Sequence, residues 1–380
     1  MRILVAHAYY RIRGGEDRYV DEQAELLSSI HEVELFARRN EHLSGPARAT
    51  TSILGLDGGS RALAKKLDDF RPDLVHVHNV FPSLGPVVHK ETARRGIPLV
   101  MTVHNYRLRC PNGLTFTEGE VCERCVHGTN LNAVLHDCFP SRAQAAVYAV
   151  GLSVHRSIAK TEAKVALFLT PSDFLAGRLE EWGIEGTRVR TVRSFTRPFP
   201  EASPAPGEFG LFLGRLSPEK GVDVLLRSLK AAGDPPFKVV GDGPSAREWR
   251  ELAARLALRN TEFLGRLDTA AVDALLRRAR YVALPSVWHE TGGLAAMEGM
   301  AAARPILVSD MGGLPELLSE DGGFSTPAGD VDGLAGVIER LGADDDLCTE
   351  LGAQALSFAQ RHLTSERHVS AINEAYRAVV

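Results

Sequence analysis

Two glutamates eight residues apart, Glu290 and Glu298, lie in PSVWHETGGLAAMEGMAAARPILVSDMGG (285–313). A strand is expected to end at Ser286, a loop to carry Glu290, and Gly292-Gly293 to open a helix at Leu294 that bears Glu298. At about 1.5 Å rise per helical residue the carboxylates are at most roughly 12 Å apart. That is close to the span of a sugar joined through a diphosphate to a ribose. A carboxylate accepts hydrogen bonds from two neighbouring hydroxyls, so Glu290 suits the sugar and Glu298 the ribose. Between them, the free backbone N–H groups at Gly292, Gly293 and Leu294 would face the phosphates, aided by the helix dipole. The plain alternative is a loop residue and a solvated helix position. It is weakened by the apolar surroundings of Glu298 (LAAMEGMAAA), where an unpaired charge is costly.

A complementary charge pattern stands in LGRLSPEKGVDVLL (213–226). A strand is expected to end at Gly214, followed by Arg215, with Lys220 at the start of the next helix. Two cations there can neutralise charge building on a departing phosphate, and Gly214 and Gly221 permit close backbone approach. Either alone would read as a surface cation. VVGDGP (239–244) adds a strand-to-helix turn in which Gly241 and Gly243 leave room for a nucleotide, although many simple turns share this pattern. Near the N-terminus, Gly14-Gly15 follows the first strand, as a loop for acceptor or phosphate or as a tight turn. His104 and Asn105 end another strand, where a histidine is as readily structural as catalytic.

Parallel-sheet elements are needed to bring these turns together. RILVAHAY (2–9), DLVHVHN (73–79), IPLVMTVHN (97–105) and ALFLTPS (166–172) are continuous apolar, β-branched-rich runs, as expected of strands buried on both faces. Helical patterns over 16–30 and 61–70 separate them. TRPFPEASPAPGE (196–208) contains four prolines and no period, and reads as a linker. A second series follows at 209–216, 237–242, 261–267, 281–286 and 305–310. Strand–helix–strand units of this length close as parallel sheets with crossover helices. Two doubly wound, Rossmann-like α/β domains are therefore expected, over 1–197 and 208–364. They would face each other across a cleft, with ligands beyond the carboxyl ends of the strands.

Composition narrows the function classes. The 380-residue chain is 44% apolar and 24% charged with a net charge of -4, which suits two globular domains and gives no global pull toward nucleic acid. No stretch reaches the roughly 20 apolar residues of a membrane helix, and no signal peptide is evident. The expected location is the cytosol, with at most peripheral contact at the inner membrane face through the amphipathic segment 143–160. A core helix is the plainer reading of that segment. Four cysteines, Cys110, Cys122, Cys125 and Cys138, have a spacing suited to a structural tetrathiolate zinc site, with free thiols as the alternative in a reducing compartment. Cys348 stands apart. Asp330-Val331-Asp332 imitates a metal motif, but reads better as a helix cap.

Taken together, LGRLSPEKGVDVL, the Glu290–Glu298 segment and the N-terminal glycine loop resemble the retaining glycosyltransferases of family 4, which have the GT-B fold. The resemblance spans nearly the whole chain and is most specific over 209–316. It implies that Arg215 and Lys220 hold the pyrophosphate of a nucleotide-diphosphate sugar donor. It also implies that Glu298 holds the ribose, and that Glu290 and His104 lie at the donor sugar. The last helix, about 365–380, should cross back onto the first domain. Two departures stand out: Thr291-Gly292-Gly293 replaces the usual Phe-Gly, and RTVRSFTRP lacks the usual Asn-Gly turn. The implied reaction is front-face transfer to a hydroxyl acceptor, lipid-linked acceptors included, with no catalytic metal or other cofactor. The alternatives are a sugar-nucleotide epimerase or hydrolase on the same fold, and a sugar-nucleotide-binding protein without chemistry.

Overall fold

The buried strand runs and the amphipathic segments between them build two α/β units. The computed structural model describes residues 1–11, 14–40, 46–56 and 58–380, with only the backbone at 46–49. Ile12 and Arg13 of the N-terminal loop therefore lie outside the described residues. The first unit comprises Met1–Glu118, Cys122–Val192 and Val369–Val380; the second comprises Arg193–His368 with Gly119–Val121.

In the first unit the strands of the main sheet are β1 (Arg2–Tyr9), β2 (Glu32–Arg39), β3 (Leu74–Val77), β4 (Leu99–Thr102), β5 (Leu167–Thr170) and β6 (Val189–Thr191). They form one parallel sheet in the order β2-β1-β3-β4-β5-β6. A short two-stranded pair, Phe116–Thr117 and Glu120–Val121, forms a separate sheet. The second unit contains β7 (Phe209–Leu213), β8 (Phe237–Val240), β9 (Thr261–Gly265), β10 (Ala279–Leu284), β11 (Ile306–Ser309) and β12 (Gly323–Thr326). Its parallel order is β9-β8-β7-β10-β11-β12. Helices cover both faces of this sheet. Met297, Met300 and Phe358 pack on one side, and Leu225, Trp249 and Ile338 on the other. Strand order reverses between β1 and β3 in the first unit and between β7 and β10 in the second. Ligands of doubly wound sheets bind beyond the strand ends at such points.

Three strands of the two six-stranded sheets escape the expectation: β2, β6 and β12. Each is at a sheet edge, so none carries the continuous apolar signal of a strand covered on both faces. β2 alternates half-buried and exposed positions instead. The boundaries also differ. The proline-rich segment 196–208, expected as a linker, belongs to the second unit. Phe199 is buried there in the core with Phe209 and Leu211, and Thr196 N–H donates to Leu363 C=O at 2.8 Å. Prolines break the periodic pattern without preventing burial of the aromatic between them.

The final helix, Ser365–Arg377, begins in the second unit, and Val369–Val380 belongs to the first. Tyr376 is fully buried, its hydroxyl 2.7 Å from His76 Nδ1. Asp330 caps the helix Val331–Ala343, its Oδ1 accepting from Gly333 N–H at 2.9 Å. Among the described residues no helix is long and apolar enough to cross a membrane.

Candidate active site

Neighbouring strands β7 and β10 bring Arg215, Lys220 and Glu290 to one end of the second sheet. β7 ends at Leu213 and leads into Gly214-Arg215; β10 ends at Leu284 and leads into Pro285-Ser286. Arg215 is exposed; its backbone C=O accepts from Ser217 N–H at 3.1 Å, and its guanidinium has no hydrogen-bond or ion-pair partner among the described residues. Lys220 closes a short 3-10 turn over Pro218–Lys220. Its Nζ donates to Glu290 Oε1 at 2.6 Å and lies 5.2 Å from the centroid of the buried Trp288 ring. Two residues expected to contact different parts of a donor are thus already an ion pair. Among the described residues one N–H of the ammonium is engaged and two remain.

Glu290 is buried and held from both sides. Ser286 Oγ donates to its Oε1 at 2.6 Å. Its backbone C=O accepts from Gly313 N–H at 2.8 Å. Burial pushes the Glu290 carboxyl up, yet the Lys220 charge and the hydrogen bonds from Lys220, Ser286 and Trp288 outweigh it and hold the group below its ordinary range. The carboxylate is therefore ionised at neutral pH. Gly312, at φ +66, has its Cβ direction filled by the Glu290 carbonyl at 2.2 Å, which explains the close approach of the Met311-Gly312-Gly313 turn.

Glu298 lies on the eight-residue helix Leu294–Ala301, which starts from Gly293 in the left-handed region at φ +70. The carboxylate is not isolated in its apolar surroundings. Arg197 Nη2 lies 3.9 Å from Glu298 Oε1, while the same guanidinium grips Asp273 through two 3.0 Å bonds. Arg197 went unrecognised because it falls in the segment read as a linker; the signal was a lone arginine amid prolines.

The glycines of VVGDGP have a packing reason of their own. A Cβ on Gly241 would sit 1.8 Å from Gly214 O, and one on Gly243 2.3 Å from Leu216 O. Leu216 N–H also donates to Asp242 C=O at 3.0 Å. The space expected for a nucleotide in the Cβ directions of these glycines is filled by the backbone following β7.

In the first unit, Gly14 precedes the helix Gly15–Ser28, and Asp17 secures its start. Asp17 Oδ2 accepts from Gly14 N–H at 3.2 Å, and its Oδ1 lies 2.9 Å from His7 Nε2. Space beside Gly14 is open, with no atom within 4 Å of a Cβ placed there. Asn105 Nδ2 donates to Tyr10 OH at 3.1 Å, and Tyr10 OH donates to Glu16 Oε2 at 2.9 Å. Burial, the largest influence, pushes the Glu16 carboxyl and the Tyr10 phenol above their ordinary values.

His104 Nε2 lies 2.9 Å from His78 Nδ1, and the two rings are stacked. Burial, helped by the His7 charge, depresses His104 to about 3. His104 is therefore a neutral imidazole throughout the physiological range. His78, Asp17 and Glu16 were absent from the sequence-based candidates. One signal was available: His-Asn follows both β3 and β4, at 78–79 and 104–105, and adjacent parallel strands place such pairs side by side.

The four cysteines line one small cavity with Asn112, Phe116 and His136. All are free thiols. Burial, then the neighbouring Cys110, Cys138 and Cys122, push the Cys125 thiol up to about 12. Cys110 Sγ–H donates to Asn112 Oδ1 at 2.9 Å. Among the described residues no three His, Cys, Asp or Glu side chains are grouped to hold a metal ion. The donor set suits zinc, whereas the present placement of the sulfurs does not close on one point.

Two parallel doubly wound units, each with polar side chains gathered beyond its strand ends, define the GT-B class of glycosyltransferase fold. Residues 4–194 match the family described as glycosyl transferase 4-like domain, and residues 196–358 match glycosyl transferases group 1. The chain belongs to the group 1 glycosyl transferases. A phosphatidyl-myo-inositol mannosyltransferase of Mycolicibacterium smegmatis is 33% identical over 45% of this chain and 46% of its own. An uncharacterized glycosyltransferase of Methanocaldococcus jannaschii is 30% identical over 44% and 47%. The matched region thus spans about half the length of these curated relatives. Among solved structures, the Anabaena protein HepE in complex with UDP and glucose has a TM-score of 0.73 at 17% identity, with 100% of both chains covered. A sucrose-phosphate synthase from Thermosynechococcus elongatus has a TM-score of 0.74 at 17% identity, covering 99% of this chain and 98% of its own.

Proposed function

We propose that the chain transfers a sugar, with retention of anomeric configuration, from a nucleotide-diphosphate donor to a hydroxyl acceptor, without a catalytic metal. The observation that carries this reading is the pair of cations at the β7–β10 switch point. Arg215 is exposed, its guanidinium unpartnered among the described residues, and Lys220 is anchored on Glu290 at 2.6 Å. In the reaction the acceptor oxygen bonds to the anomeric carbon as the bond from that carbon to the phosphate oxygen breaks. The departing phosphate takes the acceptor's proton. Arg215 and Lys220 stabilise the charge on that phosphate, which is the main protein contribution. Glu290 orients Lys220 and faces the donor sugar, Glu298 holds the ribose, and neutral His104 serves as a hydrogen-bonding group.

The test is a thermal-shift series with UDP-, GDP- and dTDP-sugars, with and without EDTA. One donor class should raise Tm in a chelator-insensitive manner, because a ligand bound only by the native state stabilises it. Glu298→Ala should weaken that binding by roughly tenfold to a hundredfold, the effect of removing hydrogen bonds to a charged acceptor. If no nucleotide sugar shifts the wild type, or if EDTA abolishes the shift without a loss of folding, the reading fails.

For the cysteine loop we propose a structural zinc, the four thiols losing their protons as they close on the ion. Four sulfurs around one cavity support this. Metal analysis of the purified chain should find one zinc per molecule, lost in Cys125→Ser. A metal-free wild type that does not take up added zinc would end the idea.

A further inference from the structure

A second cavity of the first unit is unused by the reading above. It is an open basin of about 670 Å³, lined by Arg109, Asn130, Ser153, Arg156, Lys160 and Glu162 among others, well within the size range of small-molecule sites. It adjoins a narrower pocket of about 30 Å³ that contains His78, His104 and Asn105. That pocket has room for only a water or two. Arg156 and Glu162 line both.

The charges of the basin do not balance. Arg109 is committed: it pairs with Glu162, donates to Trp182 C=O at 2.8 Å and lies over the Trp182 ring. Glu162 is thereby used. Arg156 and Lys160 remain, with no side-chain hydrogen bond or ion pair among the described residues. Arg156 is half-buried. Burial, the largest influence, and the Arg109 cation both act against its charge, and the attraction of Glu162 and Cys125 offsets them only in part, so the net surroundings disfavour the cation held there. It is carried on a π-helical turn, Val154–Ile158, a backbone form frequent at functional sites. Asn130, only 6% exposed, donates to Ser153 Oγ at 2.9 Å, and its Oδ1 has no partner. A 180° turn of that amide would present its N–H groups in place of the orphaned oxygen, with Oδ1 then accepting from the Ser153 hydroxyl, whose proton now goes to Ala149 C=O at 2.9 Å.

We propose that this basin binds the phosphoryl group of an anionic acceptor, with Arg156 and Lys160 as its cations, Asn130 as an added donor, and the acceptor's body seated in the basin beside His104. The inference rests on the glycosyl-transfer reading and deepens it by naming the acceptor's chemical class. Guanidinium and amide donors around one oxyanion form the short, charge-assisted bonds that distinguish phosphate sites.

The experiment uses the full chain with two probes, glycerol 3-phosphate and vesicles of phosphatidylglycerol, with phosphatidylcholine vesicles as the uncharged control. Wild type should bind at least one anionic probe, with affinity falling as salt rises. Arg156→Gln should weaken it by roughly tenfold or more, and exposed Lys160→Gln by a smaller factor. Binding of the soluble phosphate assigns a free phosphomonoester; Arg156-dependent binding of phosphatidylglycerol vesicles alone assigns a lipid headgroup. Either result supports the site. No binding to either probe, or equal binding by wild type and Arg156→Gln, overturns it. Nucleotide-sugar binding, measured alongside, should be equal in wild type and both variants. Its absence from wild type would count against the transfer reading, while the phosphate arm would still be read.

Discussion

Replacing Arg215 by alanine is expected to cut kcat by roughly a hundredfold to a thousandfold, the usual effect of removing one preorganised donor from a developing oxyanion. Because the Arg215 side chain is exposed and has no hydrogen bond or ion pair among the described residues, the variant's Tm should stay near that of wild type. Lys220→Ala should show a comparable loss of rate, but not a clean one. It strips the partner from Glu290, a buried carboxylate, and breaking such a pair costs about 3–5 kcal/mol.

The two variants should therefore separate in their pH behaviour. In wild type the Glu290 carboxyl is held below its ordinary value: burial raises it, but Lys220 with the Ser286 and Trp288 bonds lowers it by more. A depressed carboxyl stabilises the fold above its unfolded value, near 4.3, and that contribution is lost as pH falls through the folded value. In Lys220→Ala burial acts without the opposing cation, so the carboxyl should rise and the destabilisation should be greatest at neutral pH. Steady-state kinetics on Arg215→Ala and pH-dependent melting of Lys220→Ala read the two effects. An Arg215→Ala turnover number indistinguishable from wild type would remove the central claim about the departing phosphate.

Gly241→Ala is expected to be the most damaging single methyl group at the site. Gly241 has φ +137, and a Cβ there would lie 1.8 Å from the Gly214 carbonyl oxygen. The atom in the way is backbone and cannot rotate aside. Backbone strain of about 1–3 kcal/mol and overpacking of a similar size should lower the melting of the second unit by roughly 5–15 °C. Its natural control is Gly336→Ala. That glycine is exposed within Val331–Ala343 and has nothing within 4 Å of a Cβ, so alanine should be neutral or slightly stabilising. Equal melting of the two variants would show that the β7 and β8 loops can part without cost.

Much of the fold was legible because central parallel strands must be apolar on both faces. Strands β1, β3, β4, β5, β7, β8, β10 and β11 carry that signal along their length, and β9 is recognisable from its apolar run. The missed strands lie where one side of the ladder is unpaired, and there the composition relaxes. In the site, Arg215, Lys220 and Glu290 could be placed because each lies in the loop leaving the carboxyl end of a strand. The Lys220–Glu290 contact could not, since it depends on β7 and β10 being neighbours across 70 residues. His78 beside His104 also depends on sheet order, though the repeated His-Asn was there to read, whereas Arg197 beside Glu298 was hidden by the proline-rich segment that carries it. Contacts made by sheet order leave no local spacing to read. The overcharged basin was harder still: its residues become informative only once Glu162 is seen to be spent on Arg109.

The partition of the last helix has a consequence for protein engineering. Tyr376 completes the buried hydrogen bonding of His76 from the far end of the polypeptide. A chimera that exchanges the N-terminal half between relatives by a single crossover near Val192 would therefore join a foreign sheet to a mismatched C-terminal tail. Swaps intended to graft acceptor preference should carry residues 369–380 along with 1–192, as one discontinuous cassette.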